Sequence, residues 1–213
     1  MTMQYAGDIR VLQLEVGDYG NNCYILIDPR TQESAVIDAA ADPERILDAV
    51  RGTTVRYIVT THRHRDHWGA LEEVVKGLPE ATVAASPADA EALPVTVGLS
   101  LNDGDTLQVG TVPLRIIGTP GHTPGSICLV TGKHLFTGDT LFPGGPGHTT
   151  SPETLRQTIE NITRKLYSLP PETVVYPGHG AGTTIGESRE EYAVFAEQRH
   201  PADLQGDVLW KES

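Results

Sequence analysis

The chain has 213 residues, 38% of them hydrophobic, with 28 acidic against 16 basic side chains and a formal net charge of -12. That length builds one well-cored domain without staples, and the acidic balance argues against nucleic acid and anionic membrane as partners. No stretch approaches the ~20 apolar residues of a membrane helix, and residues 1–10 carry no basic run followed by an apolar one, so a cytoplasmic protein is expected.

Residues 9–16 alternate loosely between apolar and polar, the turn-rich segment Gly17 to Asn22 follows, and the strand pattern resumes over 23–27, which predicts an antiparallel hairpin. A third strand, 35–37, ends at Asp38, a residue poorly suited to a strand interior. Asp42 and Pro43 supply an N-cap and a first-turn proline for a helix to residue 50. The strand 55–59 runs into a ligand-rich loop, and a helix over 68–76 follows with Trp68, Leu71, Val74 and Val75 on one face. A strand over 82–85 and a short helix from Pro87 to about Ala92, capped by Ser86, come next. The β-branched runs 106–109, 112–117, 126–131 and 134–137 predict an antiparallel meander. Ser151 to Thr154 opens the longest helix, to residue 167; a strand over 173–176, a helix over 186–198 and an irregular tail complete the chain. Two sheets packed together with helices outside them, an αββα sandwich in one domain over 1–213, would bury all these faces. Cys23 and Cys128 lie in separate apolar stretches and read as reduced core thiols.

The chemistry concentrates at strand ends. The loop Thr61-His62-Arg63-His64-Arg65-Asp66-His67-Trp68-Gly69 holds three imidazoles and a carboxylate, a composition that no strand, turn or helix requires. On extended backbone His62 and His64 point the same way, about 6 to 7 Å apart at Cα, so both reach one ion. Asp66 and His67 are displaced by the turn into the next helix and face a neighbouring position. His122 sits in the proline-fixed loop Gly118 to Ser126, and His179 follows the strand ending at Tyr176. Asp139 stands in the apolar string Leu135 to Phe142, where an unpaired carboxylate is costly and a cation removes the cost.

These residues resemble the metallo-β-lactamase superfamily, whose His-x-His-x-Asp-His motif is met by His62, His64, Asp66 and His67. The strings Thr-Pro-Gly-His-Thr-Pro-Gly-Ser, Phe-Thr-Gly-Asp-Thr-Leu-Phe and Tyr-Pro-Gly-His-Gly are similar to its glyoxalase II, or hydroxyacylglutathione hydrolase-like, branch. The resemblance runs from the first strand to about Gly180 and implies the αββα fold. It also implies that His62, His64 and His122 hold one metal and Asp66, His67 and His179 a second, with Asp139 and a hydroxide bridging them. Two divalent ions are then expected, zinc first, with iron or manganese compatible with the same donors. The implied activity is a binuclear hydrolase in which the bridging hydroxide attacks a small thioester and Asp66 orients it and handles its proton. A lactonase or ester hydrolase of the same fold is the near alternative, and a mono-iron persulfide dioxygenase the more distant one. The implied partner is a small-molecule thioester or ester, with neither nucleic acid nor membrane. The segment Phe142 to Thr149 departs from the glyoxalase II pattern, and the residues after Gly180 leave room for one helix and a tail rather than that branch's C-terminal helical domain. His148, Tyr19 and Asn22, with Asn21 beside it, are candidate substrate contacts at the rim.

Overall fold

A computed structural model describes residues 1–211. One sheet follows chain order: β1 (Thr2–Ala6), β2 (Arg10–Val16), β3 (Asn21–Ile27), β4 (Glu33–Ile37), β5 (Thr54–Thr60), β6 (Thr82–Ala85) and β7 (Leu99–Ser100). The other joins β8 (Thr106–Val109), β9 (Val112–Gly118), β10 (Ile127–Thr131) and β11 (His134–Gly138) as an antiparallel meander. A two-stranded ribbon of β12 (Leu141–Phe142) and β13 (Gly145–Pro146) leaves it. The sheet resumes with β14 (Val174–Pro177), parallel to β11, and β15 (Thr183–Thr184).

Side-chain alternation explains why these sheets are covered on both faces. Every residue of β3 is buried: Tyr24 and Leu26 point into the space between the sheets, whereas Cys23, Ile25 and Ile27 point outward. In β10, Ile127 and Leu129 face inward while Cys128 and Val130 face the opposite layer. The inter-sheet core joins Val11, Leu26, Ile37, Leu114, Ile116 and Phe136. Helices α1 (Pro43–Ala49) and α2 (Leu71–Gly77) cover the first sheet, with the short α3 (Pro87–Ala90) between β6 and β7. The second sheet is covered by α4 (Pro152–Asn161), which widens into a π-helical turn at Ile162–Leu166, and by α5 (Ile185–Ala196). This is the expected αββα sandwich.

Several local expectations shift. Strand β1 was not anticipated, because all its residues are exposed and it buries neither face. Asp42 stands at the N-cap of α1 with φ 53° and makes no side-chain cap; its carboxylate instead accepts from Arg45 at 2.7 Å and from the Gly17 N–H at 3.3 Å. The helix expected from Trp68 begins at Leu71. Before it, residues Arg65–His67 form a 3-10 turn, and the Ala70 N–H bonds to the Ala39 carbonyl. Helix α3 stops at Ala90 and Ser86 does not cap it. The tail is ordered rather than irregular: Gly206 pairs with Thr149, and Trp210 is wholly buried between Tyr192 and Phe195. Among the described residues no helix is long and apolar enough to cross a membrane.

Candidate metal centre

Strand ends deliver the donors. Strand β5 leads into Thr61 to His67, β9 into the loop carrying His122, β11 into Asp139 and β14 into His179. The two sheets are tied at this edge by the Ile127 N–H donating to the Thr61 carbonyl, 3.0 Å, and by the Gly178 N–H donating to the Gly138 carbonyl, 2.9 Å. Gly138 has φ +47°, and a side chain there would strike Thr61. A Cβ at Gly178 would strike Asp139 and His67. Small residues let the loops close on one another.

All seven residues expected as ligands converge. Their donor atoms form three overlapping groups: His62, His64 and His122; His62, His67 and Asp139; Asp66, His67 and His179. Within each group the atoms lie within 4.8 Å of one another. His64 Nδ1 is 3.1 Å from His62 Nε2 and 2.9 Å from His122 Nε2. With the far nitrogen of His122 donating to the His148 carbonyl, its Nε2 presents a lone pair, and a single proton on His64 Nδ1 can serve only one of the two contacts. Burial, then the neighbouring imidazoles, pushes the pKa of His62 and of His64 down; burial likewise lowers that of His122, against the pull of Asp139. Three neutral imidazoles aimed at one point are a cation cradle.

The other donors carry the same signature. His67 Nε2 and Asp139 Oδ1 are 3.2 Å apart, yet both atoms are buried without a well-formed hydrogen bond. Such orphaned atoms are costly unless something positive lies between them. Asp66 Oδ2 lies 3.3 Å from His179 Nε2 and 3.7 Å from His67 Nε2. The His179 contact, with help from Asn21 and against burial, holds the Asp66 carboxyl well below the usual carboxylate range. Asp139 is also lowered: its burial opposes ionisation, and His67 outweighs it. Both carboxylates are therefore anionic. The residues present fit divalent cations.

Four of the imidazoles are oriented through their far nitrogen, a support common in metal sites. His67 Nδ1 is 2.9 Å from Asp38 Oδ2, His122 Nδ1 is 2.8 Å from the His148 carbonyl, His179 Nδ1 is 3.2 Å from the Tyr19 carbonyl and His62 Nδ1 is 3.1 Å from Thr61 Oγ1. Their Nε2 atoms are left for metal, as is Nδ1 of His64. Burial drags the His67 pKa down, but Asp38 first and Asp139 second reverse it to a net rise.

The sequence reading did not assign Asp38 or Asp89 to the site. Asp38, at φ 58°, follows β4 and accepts from the Thr61 N–H at 2.7 Å and the Thr61 hydroxyl at 2.8 Å. Asp89 accepts from the Arg63 N–H at 2.9 Å, the Thr123 hydroxyl at 2.6 Å and the Gly125 N–H at 3.0 Å. It thereby fastens the loop of His62 and His64 to the loop of His122. The aspartate ending a strand was the one available signal for Asp38; nothing local marks Asp89.

The rim candidates divide. Asn21 presents its amide to the donors, 3.1 Å from Asp66 Oδ2 and 3.3 Å from His179 Nε2. Asn22 is buried and spends its amide N–H groups on the carbonyls of Pro177, 3.0 Å, and Gly180, 2.9 Å, which clamps the His179 loop. The Tyr19 side chain is 81% exposed on a depression of about 660 Å³ lined also by Ala41, Arg65 and Asp66. His148 lines a second depression, of about 340 Å³, with His122, Asp139 and His179. The donors lie between the two.

The family model described as the metallo-beta-lactamase superfamily matches residues 16–179. "Probable polyketide biosynthesis zinc-dependent hydrolase BaeB" of Bacillus velezensis is 32% identical over 180 residues, 81% of this chain and 78% of the relative. A hydroxyacylglutathione hydrolase of Synechococcus is 35% identical over 169 residues, 75% of this chain. That alignment spans 64% of the relative, so the chain covers less than two thirds of that enzyme. Among solved structures, ETHE1 from Myxococcus xanthus superposes with a TM-score of 0.76 at 30% identity, covering 84% of this chain and 81% of that one. TTHA1623, solved in a di-iron-bound form, gives 0.70 at 29%, covering 84% and 97%. With these likenesses falling on the sandwich and on the donor-bearing loops together, the chain belongs to the metallo-β-lactamase superfamily.

Proposed function

We propose that the chain is a binuclear metal-dependent hydrolase of small thioesters. The observation that carries this reading is the continuity of the donors: His62 joins the first group to the second, His67 joins the second to the third, and Asp139 belongs to the middle group. His62, His64 and His122 would hold one ion, Asp66, His67 and His179 the other, and Asp139 would serve both. Divalent ions bound there supply Lewis-acid activation of water and of the acyl carbonyl. The relatives named as zinc-dependent and hydroxyacylglutathione hydrolases support hydrolysis, and zinc suits the imidazole-rich trio. The neighbour TTHA1623, solved in a di-iron-bound form, supports iron as the alternative metal.

The protein side of the reaction falls to Asp66 and Asn21. Asn21 and His179 engage Asp66 Oδ2, which leaves Oδ1 to orient the attacking water and take its proton. Water adds to the acyl carbon, the carbon–sulfur bond breaks, and the thiol departs with that proton.

A second reading rests on His62, His67 and Asp139, since two histidines and one carboxylate also suit a mono-iron oxygenase. It leaves His64, Asp66, His122 and His179 without a task. Elemental analysis with turnover on acyl-thiol and lactone panels decides. The expected result is two ions per chain and thioester hydrolysis without oxygen uptake. One iron per chain with oxygen consumption establishes the oxygenase instead, and a lactone preferred by about a hundredfold, or ~2.7 kcal/mol, moves the substrate to cyclic esters.

A further inference from the structure

The smaller depression beside the donors has a wall that belongs to neither sheet. It is lined by Phe142, Pro143 and His148 on one side and by Asp207, Val208 and Leu209 on the other. The segment bearing the last three is fixed at both ends. The Gly206 N–H donates to the Thr149 carbonyl at 2.9 Å and the Thr149 N–H returns the bond at 3.1 Å, while the Trp210 N–H donates to the Gly144 carbonyl at 2.7 Å. Val208 and the Trp210 indole are buried in the core of the second sheet. A Cβ at Gly145 would strike the Val208 carbonyl, so ribbon and tail touch backbone to backbone. Between these anchors, Asp207 is 85% exposed and Leu209 44% exposed, both at the depression.

The chemistry of this wall is one-sided. Among the described residues, no lysine or arginine lines the depression; its charged side chains are Asp139, committed to the donors, and Asp207. His148 Nδ1 approaches Asp207 Oδ1 at 3.1 Å, which keeps the carboxylate at the mouth. Phe142, Pro143 and Leu209 give the remainder an apolar surface. On the opposite flank, the larger depression has Arg65 beside the carboxylates of Asp18 and Asp66.

We propose that residues 207–209, anchored by Trp210, are the specificity wall of the site and select a substrate arm that is uncharged or cationic and partly apolar, rejecting an anionic one. This rests on the thioester reading above. A carboxylate-bearing peptide thiol placed over this wall meets Asp207 with no lysine or arginine of the lining beside it, whereas an uncharged amide-bearing arm lies against Phe142 and Leu209 without that repulsion.

The test compares two thioester pairs at neutral pH on the metal-loaded full chain, each pair matched in size, with a carboxylate present or absent in the thiol half of one pair and in the acyl half of the other. The wild type is expected to prefer the neutral member in at least one pair. Asp207→Lys should narrow that preference by about fivefold, Asp207→Asn by less, and roughly 0.5 M salt should weaken it in the wild type. An unchanged near-ultraviolet signal from buried Trp210 verifies that the wall is still seated. Calorimetric binding of thioether analogues, which lack the scissile carbonyl, reads the same ratio without turnover. Absence of hydrolysis of every compound therefore removes the thioester reading, while the binding ratio still judges the wall. Equal affinity for neutral and anionic analogues in both pairs, or a preference that Asp207→Lys leaves unmoved, overturns the proposal.

Discussion

Asp38 and Asp89 organise opposite halves of the donor cluster by different means. Asp38 touches a donor directly: its Oδ2 takes His67 Nδ1 at 2.9 Å while the same carboxylate holds Thr61 at the head of the ligand loop. Asp89 is not among the hydrogen-bond partners of the donor imidazoles and instead joins Arg63 to Thr123 and Gly125. The first sets the tautomer and tilt of one ring; the second sets the spacing between two loops. Loss of ring orientation should therefore weaken one ion strongly, whereas loss of the loop tie should loosen the His62, His64 and His122 trio as a unit.

Four substitutions sharpen that contrast. Asp139→Asn removes the carboxylate shared by both halves, so two-metal stoichiometry should collapse and turnover should fall by more than about a hundredfold. Elemental analysis checks it, and two ions retained at normal affinity would contradict the bridge. Asp38→Asn replaces an acceptor facing three donors by a group that must also donate. Metal affinity should drop by about 10- to 100-fold, and stability of the apo chain by roughly 1–3 kcal/mol; stepwise chelator competition should assign the loss to the ion held by His67. With Asp89→Asn we expect about a tenfold loss in the same competition, confined to the ion of the His62 trio; a loss falling equally on both ions would erase the distinction between the clamps. The smallest effect belongs to Asn21→Ala, which frees one face of Asp66. Turnover should fall by about threefold to tenfold for one charge-assisted hydrogen bond with both ions still bound, and a fall in metal content instead would make Asn21 part of the metal support.

The seven donors were legible because each stands in a composition that its secondary structure does not explain. The run from His62 to His67, and Asp139 in an apolar string, make little sense without a cation. The sandwich was legible from alternation, as in β3 and β10, where neither face tolerates water. Strand β1 was not, since its exposed residues carry no burial pattern. Asn21 and Asn22 are adjacent and alike in sequence, but opposite facing along β3 sends one amide to Asp66 and the other into the Pro177 and Gly180 carbonyls. Both cysteines are buried in the core as expected, and burial raises both thiol pKa values, that of Cys128 to about 11.

The sequence by itself determined the candidate ligand types, the superfamily resemblance and the two-sheet architecture, because residue type and side-chain period are local properties that survive without knowledge of contacts. Only the tertiary structure decided how the centre is supported and walled. Asp89 reaches Thr123 and Gly125, 34 and 36 residues further along the chain, and His148 meets Asp207 across 59. Hydrogen bonds over such separations depend on where the two sheets and their loops come to rest, and no composition or spacing near either residue encodes that meeting.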